Sequence, residues 1–394
     1  VNANLSTTEH TVTTEHTVTT TAPPRARTRL GYIDNLRILL AVLVLAHHAA
    51  LTYGALPIWY WTEPSTSASG LALMAFVLVT GCFRMGFFFM IAGLFVAGSV
   101  DRKGGGAFVR DRLVRLGVPL IAFTALLRPL LTLHARPEDQ PLGEYWFSIV
   151  DPGPLWFVEV LLVMSLAYVA LRWLRTRSGG PTAAELRPTD LAGPVGAVTW
   201  RRIGALVGLL TVTTFLWRLA VPLGTFWEIG ALPTPASMPQ YVTLFTVGVL
   251  ASRRGWLAGL TARQGRVGLV AALVTAGPLL VTILPFLSGE PVGLPLQMAQ
   301  SLLENVFAVG MVIGLLVLFR DKVQGRHAWV RSAGRSSYAV YVIHPVVLVG
   351  VAMLLAPVVA PAGVRWLLLL ALAVPLCWLL AGLLRKVPGV SRVL

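Results

Sequence analysis

Ten apolar stretches, divided by polar and charged loops, set the pattern of this chain: 34–53, 72–99, 116–134, 155–174, 203–222, 239–252, 267–286, 297–319, 338–356 and 364–384. About 20 apolar residues wound as a helix cross the hydrocarbon core of a bilayer. The pattern predicts an all-α, polytopic transmembrane helix bundle of about ten spans. The sixth stretch is short for a crossing and the second is long. Residues 71–83 could instead lie in the interface ahead of a shorter second span. Around the membrane domain, 31–387, the sequence predicts a disordered Thr-rich tail at 1–30 and a short tail at 388–394. The first tail repeats TEHTVT and lacks the apolar segment of a signal peptide. Its His10 and His16 make a poor metal site.

Composition agrees with the pattern. Of 394 residues, 56% are hydrophobic and 12% charged, and the mean hydropathy is +0.73. A soluble domain cannot hide that much apolar surface. A net charge of +15 would suggest nucleic acid in a soluble protein. Here the charge follows topology instead, and no nucleic-acid partner is expected. With a cytosolic N-terminus and ten spans, 26 of the 32 Lys and Arg fall on the inner side. That is the positive-inside pattern, and it puts both termini in the cytosol. The excess of Arg over Lys fits a GC-rich genome. A multi-pass protein of the bacterial inner membrane is expected. The loops 59–64, 136–146 and 225–233 mix acids and prolines with Trp and Tyr. Trp59, Tyr60, Trp61 and Tyr145 suit an interfacial belt.

Ionisable groups inside spans are costly and mark sites of function or internal pairing. Arg37 and His48 lie eleven residues apart in the first span. A helix turns about 100° per residue, so they share a face to within roughly 20° and lie about 16 Å apart along the axis. His47 points roughly 80° away. Asp34, one turn before Arg37, can hold its guanidinium. One face thus carries a fixed cation near the inner end and a proton acceptor deeper in. In the first inner loop, Arg110, Arg112 and Arg115 precede the third span. Arg forks grip phosphate oxygens, and Arg112 and Arg115 stand one turn apart. The glycines at 104–106 match no P-loop. Arg84, Arg128, Glu159, Arg218, Glu304 and His344 are further charges within or near spans, open to a site role or to internal pairing. Cys82 and Cys377 read as buried small hydrophobes. Nothing suggests zinc, haem or flavin, and no metal is expected.

The order of these segments resembles the acyltransferase 3 family of integral-membrane acyltransferases, over about residues 30–386. YIDNLRILLAVLVLAHH holds an R-x10-H element, Arg37 and His48. MGFFFMIAGLF (85–95) is similar to the family's FF…SG segment, with Ala92 where Ser is common. Arg112 and Arg115 form its RxxR element. LWFV (155–158) and SSYAVYVIHP (336–345) resemble two later pieces. The resemblance implies transfer of an acyl group, often acetyl, from cytosolic acyl-CoA to a hydroxyl of a glycan, a lipid-linked sugar or a secondary metabolite. It implies His48 as general base or transient acyl carrier, with Arg37 and Asp34 beside it in the catalytic set. Arg37 would hold a donor phosphate or steady the oxyanion. Arg112, Arg115 and Arg110 would bind the donor, and Trp156, Glu159, Tyr341 and His344 the acceptor. Some members carry an extra extracytoplasmic domain, which this chain is read as lacking. A transporter or flippase for an anionic or glycan substrate is the main rival. The sequence lacks the paired broken spans that transporters often show. A scaffold or sensor, with charges merely paired, is the third reading.

Overall fold

The computed structural model describes residues 31–149, 151–178, 196–228, 231–288, 291–324 and 328–394. The predicted Thr-rich tail, with His10 and His16, lies outside the described residues. Helices dominate, and the only β pairing among the described residues is a bridge between Trp227 and Leu232. The ten apolar stretches correspond to ten helices: α1 Gly31–Tyr53, α2 Ala68–Lys103, α3 Gly105–Ala135, α4 Trp156–Arg177, α5 Trp200–Ala220, α6 Met238–Arg254, α7 Ala262–Leu287, α8 Leu294–Lys322, α9 Ala328–Leu355 and α10 Ala362–Leu384. Among the described residues, nine are long and apolar enough to cross a membrane. The chain is therefore a polytopic helical bundle.

The exception is α6, whose 17 residues extend about 25 Å at 1.5 Å each, just short of the roughly 30 Å core. It is locked to α2 where two glycines meet. A Cβ at Gly93 would lie 2.2 Å from the Phe245 carbonyl oxygen, and one at Gly248 would lie 2.1 Å from that of Met90. Close backbone approach of this kind is how helices associate where lipid removes the hydrophobic drive. The second stretch, by contrast, is one continuous helix of 36 residues. Residues 71–83 form no separate interfacial segment. Ser67 caps α2, its hydroxyl accepting from the Gly70 amide at 3.3 Å.

The third stretch departs most from the expected regular span. α3 holds two π-helical segments, Leu113–Gly117 and Phe123–Leu127, each running up to a Val-Pro or Arg-Pro pair at Pro119 and Pro129. Proline lacks an N–H and its ring crowds the carbonyl four residues back. Widening the ladder relieves that clash. Pro119 and Pro129 offer no amide to the carbonyls four residues back, those of Arg115 and Ala125. The Tyr338 hydroxyl donates to the first at 2.8 Å and the Trp146 indole to the second at 2.9 Å.

α1 sits in the middle, against α2, α8, α9 and α10. Its Leu36, Leu40, Leu45, Ala49 and Tyr53 are inaccessible. At one end of the bundle the basic residues converge. Asp101 of α2 pairs with Arg172 of α4 and, at 3.7 Å, with Arg253 of α6. Asp111 takes Lys103 at 3.0 Å and Arg115 at 3.2 Å. Arg320 caps the Leu257 and Leu260 carbonyls. The opposite end carries the ion pairs Arg128–Asp151 and Arg365–Glu63.

Candidate active site

The sequence of α9 builds the centre of the site. Pro345 removes the amide that would bond the Tyr341 carbonyl in a regular helix. The His344 ring takes that carbonyl instead, Nδ1 to O 2.6 Å. A carbonyl only accepts, so Nδ1 of His344 carries the proton. In the neutral ring Nε2 is then a lone pair. Nε2 lies 3.0 Å from Nδ1 of His48 on α1. His48 must donate there, which leaves its own Nε2 as the free base. The two imidazoles lie nearly parallel, 4.9 Å apart and 18° from coplanar. The result is one chain of polarity: Tyr341 carbonyl, His344, His48, open lone pair. The tautomers follow from the partners, the usual logic of a positioned histidine base.

His47 does something else. Its Nδ1 is 3.1 Å from the Thr80 hydroxyl, whose own proton goes to the Phe76 carbonyl at 2.7 Å. The ring therefore donates to Thr80 and anchors α1 to α2.

Trp59 stacks on His48 at 4.2 Å and 14°, and Tyr60 packs beside it. These aromatics were expected in an interfacial belt. The loop 54–67 instead folds back over the end of α1, so Trp59 covers the dyad. Tyr60 is held in turn by Arg128, whose guanidinium lies 4.5 Å from its ring centroid. Burial raises the Tyr60 phenol well above its ordinary value, so it stays protonated. Tyr145 likewise turns inward, donating to Thr132 at 2.7 Å.

Tyr341 is buried and donates to the Pro154 carbonyl, which ties α9 to the turn before α4. Trp156 starts α4 in the same aromatic wall, 5.6 Å from the Tyr241 ring and 6.5 Å from Phe89. Glu159, one turn on, is half-buried and makes no ion pair among the described residues. Of the four acceptor candidates, His344 adjoins His48, Tyr341 packs on His344 at 5.5 Å, and Trp156 stands in the aromatic wall with Tyr241 and Phe89.

Asp34 and Arg37 approach to 3.7 Å at the basic end. The Arg37 guanidinium also lies over Phe95 of α2 at 4.6 Å. Arg112 rests on Phe108 at 4.9 Å and is close enough to Arg115 and Arg37 for their charges to repel. The π segment opens at Leu113, between Arg112 and Arg115. It swings these two side chains further apart than the shared face of a regular turn. Arg110 is exposed. Arg37, Arg112 and Arg115 thus gather at the basic end of the bundle, with Tyr338 bonded to the Arg115 carbonyl. Arg37 stands about 16 Å along α1 from His48, toward the basic end.

The remaining span charges divide. Arg218 is buried in a fork on Glu304, at 2.7 and 3.0 Å, with Gln300 at 2.6 Å. Arg128 is paired to Asp151. Arg84 has no such partner. Cys82 and Cys377 are buried free thiols. No group of three metal-ligating side chains occurs among the described residues.

A histidine pair inside the bundle, basic residues at one end and an aromatic cover over the pair describe a class: a polytopic helical membrane protein built around a buried imidazole dyad. The particular family follows from comparison. Residues 30–382 match the acyltransferase 3 family, described as an acyltransferase domain. The chain belongs to that family and is a multi-pass membrane acyltransferase in general terms. No curated protein matches it.

Proposed function

We propose that this protein moves an acyl group, acetyl in the first instance, from acyl-CoA to a hydroxyl, with His48 Nε2 as general base. The observation that carries the reading is the 3.0 Å bond from His48 to His344, whose other nitrogen is tied to a carbonyl. That tie leaves His48 Nε2 free to accept a proton from the acceptor hydroxyl. His344 then shares the charge of the imidazolium. A transient acyl group on Nε2 is the other use of the same lone pair.

The donor enters at the basic end, cytosolic in this reading together with both termini, which the positive-inside pattern supports. Arg37, Arg112 and Arg115 hold the phosphates there. The pantetheine arm runs along α1 to the dyad. The acceptor comes from the opposite end, beneath Trp59, past Trp156 and Tyr341. The lipid bilayer is the other partner, in a bacterial inner membrane.

The test is equilibrium binding of acetyl-CoA to the purified protein, wild type beside the Arg112→Ala/Arg115→Ala double variant. Saturable binding, weakened in the variant, supports the reading. A folded wild type that binds no acetyl-CoA refutes it and favours a transporter.

A further inference from the structure

The structure assigns a role to Arg84: we propose that its guanidinium is the oxyanion donor for the thioester carbonyl. The inference rests on the acyl-transfer reading above.

Arg84 is 5% exposed in the middle of α2. Its Nε and Nη1 are buried and have no hydrogen-bond partner among the described residues. A buried cation without a counterion is costly, and proteins normally pair it. Arg218, equally buried, shows the normal solution with Glu304 and Gln300. Arg84 therefore holds two donors in readiness for something that the protein itself does not provide.

Its position says what. Thr80 bonds His47, and the His47 ring lies 4.0 Å from a Cβ built on Gly81. Arg84 is four residues beyond Thr80 and three beyond Gly81, so it lies on the same face, one turn further along α2. That turn leads toward the basic mouth, about 6 Å below the level of the histidines. Arg84 thus lies on the α2 face that meets α1 beside the histidines, one turn nearer to the basic end, on the donor's proposed route. A thioester brought up from the mouth meets Arg84 with its carbonyl as it meets His48 with its carbon.

In the step this assigns, the acceptor oxygen attacks the thioester carbon while His48 Nε2 takes its proton. The C–O bond forms, and the carbonyl π pair moves onto oxygen, facing the Arg84 N–H groups. Collapse restores the carbonyl, breaks the C–S bond and releases the thiolate. The thiolate takes the proton back from His48. The products are an ester and free CoA thiol. Arg37, about 16 Å from His48, is left to the donor phosphates.

The test uses acetyl-CoA labelled with carbon-13 at the carbonyl, bound to the full-length protein in detergent and read by isotope-edited infrared. Wild type should bind and shift the carbonyl band to lower frequency. Arg84→Met should bind within about threefold and lose the shift, with turnover down on the order of 100- to 1,000-fold. Arg84→Lys, keeping charge without the fork, should recover part of the shift. The melting temperature of Arg84→Met should hold or rise, because an unpaired buried charge is gone. An unchanged band in Arg84→Met overturns the assignment and leaves acyl transfer standing. A melting temperature lowered together with donor binding makes Arg84 structural and also overturns it. Wild type that does not bind acetyl-CoA removes the acyl-transfer reading first, and this inference with it.

Discussion

Removing the His344 ring isolates the contact on which the proposed chemistry turns. His344 Nε2 accepts from His48 Nδ1 at 3.0 Å, and His344 is inaccessible to solvent. In the resting state, His344→Ala leaves the Tyr341 carbonyl buried without a partner and the His48 ring with only the Val44 carbonyl one turn back. An unsatisfied group costs roughly 1–3 kcal/mol, so the melting temperature falls. Catalysis loses more than geometry. When His48 takes a proton, the same bond becomes charge-assisted, worth about 1.5–3 kcal/mol. At 1.4 kcal/mol per factor of ten, turnover should fall roughly 10- to 150-fold while donor affinity stays within about twofold. His344→Gln can set an amide oxygen near the place of Nε2, hold the His48 tautomer and recover part of the loss. The assay is acetyl-CoA-dependent thiol release in membranes that contain the acceptor, with purified protein for donor affinity. A cycle with His48→Ala completes it. If the dyad acts as a unit, His344→Ala adds nothing once His48 is gone. Full activity in His344→Ala, or additive losses in the double variant, would refute the reasoning.

Three further outcomes are expected. Tyr338→Phe strips the donor from the Arg115 carbonyl and should cost about 0.5–1.5 kcal/mol of stability. Restoring the backbone amide with Pro119→Ala should cancel that cost, and a persistent loss in the double variant would show that the hydroxyl serves something else. Arg218→Met alone should destabilise by about 3–5 kcal/mol, because Glu304 is left buried and alone. Arg218→Met with Glu304→Leu should recover most of it, as thermal melting will show. For orientation, Gln140→Cys should react with an impermeant maleimide from outside intact cells and Gly105→Cys only from the cytosol. The native thiols are buried and should stay silent; the reverse labelling would invert the topology.

Local periodicity made α1 legible. The eleven-residue interval between Arg37 and His48 fixes their shared face in any regular helix, and the same arithmetic turns His47 aside onto Thr80. The bundle itself was legible because an apolar run of about 20 residues has few other physical fates. The partner of His48 was not, since His344 is 296 residues away and only packing of α1 on α9 joins them. The place of Trp59 is hidden for a related reason. Composition marks it as interfacial, and only the path of the loop shows that it covers a ring. Arg84 stood in the sequence as one charge among several. Its lack of a partner is a property of the fold, visible only once the others are seen paired. The π segments of α3 left a fainter trace. Hydropathy is blind to them, but Pro119 and Pro129 announced broken bonding.

Those prolines point to a common device. Inside a bundle that excludes water, a carbonyl stripped of its helical amide must find another donor. Pro119 strips Arg115, Pro129 strips Ala125 and Pro345 strips Tyr341, and each carbonyl takes a side-chain donor: Tyr338, Trp146 and His344. The first joins α3 to α9 beside the basic mouth. The second braces the second half of α3. The third lies within one helix and turns a ring. In the third case the adopted bond does more than repair the backbone, because it decides which His344 nitrogen carries the proton. That choice decides the tautomer of His48 in turn. The spacing of Tyr341, His344 and Pro345 is therefore a chemical instruction: the proline frees a carbonyl, the carbonyl fixes a ring, and the ring presents a lone pair to the helix opposite.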